Sequence, residues 1–222
     1  TVWLAPAASW GLSDHLMRET RRYADATETP IMMHLFETGS DEAGSQQRFG
    51  KPAIEWFEEA VKHRGVRGLK LHPVLDAYPA DRAYMLDPLL EVCDRYHLHC
   101  IIHCTSDAPN SSPLQMERTA CRWPNVTFQM AHMGGCWLAN DAIKVCQRNQ
   151  NIYLDGSTVS LSAVKRAIAA CPDRFLMGTD VPFYHFEMEK LKMKLAVSDP
   201  VLFEKVTYGN MRDLIAERGL EL

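Results

Sequence analysis

Short apolar runs, each ending in a polar residue and separated by helix-length stretches, constrain this 222-residue chain more than any other feature. The runs are 2–6, 31–37, 66–73, 99–103, 126–132, 152–155 and 175–178. Between them the apolar spacing predicts helices. One of about 14 residues is capped by Ser13, with Leu12, Leu16, Tyr23 and Ala24 near its apolar stripe. Others cover 52–63, 82–96, 113–122, 137–149 and 160–170. The stretch 185–219 reads as helical with breaks at 199–200 and 209–210, where Asn210 caps the last helix. The polar segment 38–51 reads as a long loop suited to substrate contact. Seven strands alternating with helices predict one parallel sheet in an α/β domain spanning 1–222.

Two architectures carry that pattern, a doubly wound open sheet and a (β/α) barrel. An open sheet gathers its site at one switch point, whereas a barrel gathers it from many strand ends. Here polar residues stand at almost every strand tip: His34 and Glu37, Lys70 and His72, His103, His132, Asp155 and Asp180. The chain therefore reads as a TIM-like barrel, incomplete or seven-stranded. A sheet with a gap needs cover, so closure by a tight seven-stranded ring or by a second copy of the chain is expected.

The tip chemistry is specific. Gly-Thr-Asp (178–180) presents one carboxylate at the end of a strand, and two earlier strands end in His103 and His132. Two histidines and an aspartate on three strand ends outline a metal site. His97-Leu98-His99 has the spacing of a ligand pair. His99, however, lies four residues before His103, about 13 Å down the strand, and reads as a surface feature of the helix-to-strand turn. Hydrophobic residues make up 46% and charged residues 23%, with a formal net charge of -4. That suits one sizeable core and a small-molecule substrate, with no basic surface for nucleic acid and no apolar run long enough for a membrane. The start lacks the layout of a signal peptide. Seven cysteines without a Cys-x-x-Cys pair read as reduced, mostly buried thiols of a cytoplasmic protein, with packing the favoured role for Cys104 and Cys136.

Residues 52–222 resemble the amidohydrolase-related family of metal-dependent barrel hydrolases and decarboxylases. The resemblance rests on Gly-Val-Arg-Gly-Leu-Lys-Leu-His-Pro (65–73), Ile-Ile-His-Cys (101–104), Ala-His-Met-Gly-Gly (131–135), Tyr-Leu-Asp-Gly-Ser (153–157), Met-Gly-Thr-Asp-Val-Pro (177–182) and Tyr-Gly-Asn-Met (208–211). It implies that His103 is a metal ligand, that His132 is a ligand or proton-transfer group, and that Asp180 touches metal and attacking water. Residues 2–60 resemble the chlorohydrolase and aminohydrolase branch of the same superfamily, through Leu-Ala-Pro (4–6), residues 18–24, His-Leu-Phe-Glu-Thr (34–38) and Phe-Gly-Lys-Pro (49–52). That second resemblance implies a metal-binding His34 and a proton-shuttling Glu37. The chain thus reads as a hybrid or truncated form joined near 52–65.

The superfamily's first strand carries a His-x-His pair of ligands, and the chain starts beyond such a strand. The remaining metal candidates are His34, His103, His132 and Asp180. Asp180, His132 and Glu37 are the catalytic candidates, and Lys70 and His72 the substrate-binding ones. The expected cofactor is a divalent metal, zinc first and manganese second. Three functions follow: hydrolysis of a C–N, ester or lactone bond by metal-activated water, non-oxidative decarboxylation at the same site, or a non-catalytic barrel remnant without metal.

Overall fold

The computed structural model describes residues 13–29, 31–34, 41–181 and 183–217. α1 (Asp14–Thr27) starts where the Ser13 hydroxyl accepts the Leu16 N–H at 3.1 Å. It ends at Glu28, whose φ of 51° is left-handed. Ala24 and Met17 turn inward from this helix, whereas Leu16 and Tyr23 of the expected stripe are exposed.

Six described strands follow: β1 (Ile31–His34), β2 (Val66–Leu71), β3 (His99–His103), β4 (Thr127–Ala131), β5 (Ile152–Asp155) and β6 (Phe175–Leu176). All pair in parallel, in the order β1-β2-β3-β4-β5-β6. A doubly wound sheet reverses its strand order at the switch point, and this sheet never does. The sequential order is that of a (β/α) barrel. Among the described residues the sheet is open between β6 and β1, so the described strands form an incomplete barrel. The expected strand at 2–6 and the end of the second, 35–37, lie outside the described residues. β6 is shorter than the expected 175–178, because the chain leaves the sheet after Leu176.

The helices are α2 (Asp41–Phe49), α3 (Ala53–Arg64), α4 (Ala83–Arg95), α5 (Pro113–Arg122), α6 (Ala139–Arg148), α7 (Leu161–Ala170), α8 (Phe186–Ala196), α9 (Pro200–Glu204) and α10 (Asn210–Ala216). The local signals at α5 are complete. Ser112 accepts from the Gln115 N–H, the Gln115 side chain accepts from the Ser112 N–H, and Pro113 opens the first turn. α2 corrects the expected loop. Its residues are helix formers without an apolar stripe, and polar ties hold it in place. The Glu42 carboxylate accepts the Ala53 N–H at the head of α3, and the buried Ser45 hydroxyl donates to the Lys51 carbonyl.

Strand parity divides the sheet. Leu69, Leu71, Cys100, Ile102, Phe128, Met130, Ile152, Leu154 and Phe175 are fully buried and form the apolar layer with the helices. Each large side chain of that layer contributes roughly 2–3 kcal/mol. The alternate set, His99, Ile101 and His103 on β3, Gln129 on β4 and Asp155 on β5, is mostly polar. His99 is buried, with Nε2 at 2.9 Å from the Gln129 carbonyl oxygen. It is part of the interior and not a surface feature, because it shares the face of His103 two pleats below.

The C-terminal stretch also differs from expectation. α9 runs through a π-helical turn, Lys205–Gly209, into α10 without a break. Asn210 has helical φ and ψ and is not a cap. Its side-chain N–H groups donate to the Pro172 and Phe175 carbonyls at 2.8 Å each, which fastens this helix to the end of β6. Asn210→Ala leaves two buried carbonyls unpaired and should cost about 2–3 kcal/mol. Urea unfolding checks this, and a loss within error of zero would contradict the tether.

Candidate active site

The strand tips lie on one side of the sheet because every strand runs the same way. His103 is the last residue of β3, His132 follows β4, and Asp155 closes β5. Two backbone bonds lock the first two tips together. Cys104 N–H donates to the Ala131 carbonyl at 3.0 Å, and Gly134 N–H donates to the Cys104 carbonyl at 2.9 Å. Beyond β4, β5 and β6 stand four non-glycine residues at positive φ: His132 at 66°, Met133 at 29°, Thr158 at 63° and Asp180 at 56°. Each costs about 1–3 kcal/mol, a strain that concentrates at functional sites.

Three imidazoles meet at these tips. His72 stacks on His103, with ring centroids 3.9 Å apart and planes 18° from parallel. His132 meets His103 edge-on at 4.9 Å and 70°. Burial of His103, reinforced by the neighbouring His72, Lys70 and His132 and opposed by Asp107, pushes its pKa down to about 3. The ring is therefore a neutral nitrogen donor at any ordinary pH.

Both histidines are braced by a hydroxyl and a carboxylate. His103 Nε2 lies 3.2 Å from the Thr105 hydroxyl, which donates to Asp107. That hydroxyl bond holds the Asp107 carboxyl below its usual range against the effect of burial, helped by the Asp107 backbone N–H and by His103 and His72. His132 Nδ1 lies 2.9 Å from the Ser157 hydroxyl and 3.3 Å from that of Thr158. The Ser157 hydroxyl and backbone N–H both donate to Asp155. Each ring thus has one nitrogen engaged by a braced hydroxyl and the other left for a cation, the outer-shell pattern of metal-ligating histidines. This donor chemistry fits a divalent metal.

Of the residues expected at the site, His72, His103 and His132 come together. Lys70 is close enough to act on His103, and its Nζ donates to the Leu71 carbonyl at 3.3 Å. His34 ends β1 in register with Lys70. Lys70 in turn pairs with Ile101, so His34 stands two register steps before His103. Its side chain, like the whole of Glu37, lies outside the described residues. Asp180 sits beyond the tip of β6, its carbonyl accepting from Phe183 and Tyr184. Although the three rings touch, among the described residues no group of three or more His, Cys, Asp and Glu side chains is placed to hold a metal ion, and Asp180 does not complete one with them. Cys104 is buried, and burial drives its thiol up to about 12, which suits a packing role. Sequence reading passed over Thr105, Asp107 and Ser157. The available signal was a hydroxyl and a carboxylate within four residues of the β3 tip (Thr105, Asp107) and at the β5 tip (Asp155, Ser157).

α8 clamps the loop that carries Ser157 and Thr158. Lys192 Nζ donates to the Gly156 and Val159 carbonyls at 2.9 and 3.1 Å and pairs with Glu189 at 2.5 Å. The buried Glu189 carboxylate also accepts the Thr158 N–H at 3.4 Å.

Comparison with known proteins places this geometry. A family profile described as amidohydrolase matches residues 43–215. No curated protein sequence matches significantly. Among solved structures, a dihydroxybenzoic acid decarboxylase from Polaromonas sp. JS666, with bound manganese and the inhibitor 2-nitroresorcinol, superposes with a TM-score of 0.66. It is 15% identical, and the match covers 96% of this chain and 78% of that one. A 5-carboxyvanillate decarboxylase from Sphingomonas paucimobilis gives 0.64 at 14% identity, covering 91% and 72%. A 4-oxalomesaconate hydratase from Rhodopseudomonas palustris gives 0.59 at 14%, covering 91% and 83%. At these identities the likeness is one of fold.

Two outcomes follow from the site. Unfolded, His103 protonates near 6.5, and folded near 3. Between those values the unfolded chain binds the extra proton, so metal-free protein loses stability as pH falls from about 6.5 toward 3. His103→Gln should flatten that part of the profile in urea titrations, and an unchanged slope would contradict the assignment. Glu189→Ala leaves the Lys192 ammonium largely buried without its carboxylate and should cost about 3 kcal/mol in the same assay.

Proposed function

The chain belongs to the amidohydrolase family, and on that premise we propose a metal-dependent enzyme that hydrolyses a C–N, ester or lactone bond of a small polar substrate. The observation that carries the reading is the pair His103 and His132: adjacent strand-tip imidazoles, each with one nitrogen engaged by a braced hydroxyl. Membership of an enzyme family speaks against the non-catalytic remnant.

His103 and His132 would hold the cation, with His34 and Asp180 as the candidates to complete the set. When bound, a divalent cation supplies Lewis acidity and lowers the pKa of a coordinated water toward about 7. Imidazole donors suit zinc, and the manganese in the Polaromonas decarboxylase supports the second choice. Asp180 takes the proton of the attacking water, and Glu37 returns one to the leaving group. Lys70 and His72 receive a substrate carboxylate.

Decarboxylation is the second reading, and a specific observation favours it. Lys70 and His72 both act on His103 as positive neighbours, which marks an electropositive mouth suited to an organic acid. Two of the compared structures are decarboxylases by name. Seven cysteines without a Cys-x-x-Cys pair agree with a cytoplasmic protein, and no described helix is long and apolar enough to cross a membrane. The edge left open between β6 and β1 among the described residues supports association with a second copy. Light scattering would remove that association if it gave a monomer mass.

Purified protein supplemented with zinc or manganese is expected to retain about one equivalent of metal. Retention below about a tenth of an equivalent rejects both enzyme readings. Amide, lactone and hydroxybenzoate panels then separate hydrolase from decarboxylase. In whichever reaction is found, His103→Ala and Asp180→Asn should each lower kcat/KM by at least about 10²-fold.

A further inference from the structure

We propose that Asp155 is a positioning residue that decides, through Ser157, which nitrogen of His132 carries the proton. Asp155 is buried. As a carboxylate it only accepts hydrogen bonds. It receives the Ser157 backbone N–H at 2.7 Å, the Ser157 hydroxyl, and a Gln129 side-chain N–H at 2.6 Å. The hydroxyl has one proton, and that proton points at Asp155. Toward His132 the same oxygen can then only accept. The 2.9 Å contact is therefore Nδ1–H of His132 donating to Ser157, which leaves the lone pair on Nε2.

The same logic runs down the other arm. With its N–H on Asp155, Gln129 turns its carbonyl oxygen to His99, and His99 Nε2–H donates to it at 2.9 Å. Donors thus converge on one carboxylate from the barrel floor and from the strand tips. His99, Gln129, Asp155, Ser157 and His132 are all buried, so water does not compete for these bonds. The first residue of Gly-Thr-Asp belongs to the device. A Cβ on Gly178 would clash with the Asp155 carboxylate, so only a bare backbone fits over it.

A ring with its lone pair on Nε2 takes a cation or a proton there and cannot donate a hydrogen bond to an oxyanion. Of the roles open to His132, this keeps the two that use the Nε2 lone pair, metal ligand and proton acceptor, and excludes donation to an oxyanion. That consequence rests on the metal reading above. The tautomer itself is measured on metal-free protein, so the two fail separately.

The 222-residue chain, labelled with ¹⁵N-histidine and kept metal-free at neutral pH, reports each ring's tautomer in two-bond ¹H–¹⁵N correlation spectra. His132→Gln identifies the His132 signals by their loss. The wild-type ring is expected as Nδ1–H alone. Asp155→Ala frees the Ser157 hydroxyl to donate, and Ser157→Ala removes the acceptor. In both, the Nε2–H form is expected to rise to a share comparable with the other. Asp155→Asn should keep the wild-type pattern, because the Ser157 N–H turns the amide oxygen toward itself. A wild-type ring found as Nε2–H, or Nδ1–H alone in both alanine variants, overturns the proposal. If circular dichroism shows that Asp155→Ala does not fold, Ser157→Ala decides alone.

Discussion

One buried carboxylate, Asp155, accepts hydrogen bonds from three groups on two elements, and the polar half of the molecule is arranged around satisfying it. An unpaired charge in that position would cost several kcal/mol. Its neighbours are therefore constrained in turn. Gln129 must present its amide N–H, Ser157 must turn its hydroxyl inward, and Gly178 must lack a side chain. Each of these constraints orients a strand tip, and the tips are where the imidazoles stand.

Parity makes this compatible with a stable core. Alternate residues of each strand face opposite sides of the sheet, so the helix-facing set can be wholly apolar while the other set carries His99, Gln129 and Asp155. The helices shield the first set, and the polar chain satisfies the second. α8 joins the two halves, since its Lys192 and Glu189 grip the loop that carries Ser157 and Thr158. The site thus depends on a helix that contributes no described side chain to the ring cluster.

The ring cluster itself balances charge by proximity. Burial, reinforced by His72, Lys70 and His132, keeps His103 neutral, which is what a metal-binding imidazole requires. Asp107, anchored by Thr105, opposes that shift from the exposed side.

Much of this was legible in the chain itself. Repeated strand and helix signals determined a parallel α/β barrel, and the polar residues at the strand ends named His72, His103 and His132, which the fold brings together, because periodicity and turn chemistry are local properties. Tertiary structure alone decided the rest. α2 was missed because polar ties to α3 hold it where no apolar stripe announces a helix. His99 was misplaced because burial depends on what the neighbouring strand offers, here the Gln129 carbonyl oxygen. Asn210 changed from cap to tether because its partners lie 35 and 38 residues away. Gly-Thr-Asp, finally, is determined by sequence as a carboxylate at a strand end. Only the fold shows that its glycine makes room for a second carboxylate, because the packing of Gly178 over the distant Asp155, where any Cβ would clash, leaves no mark on local composition.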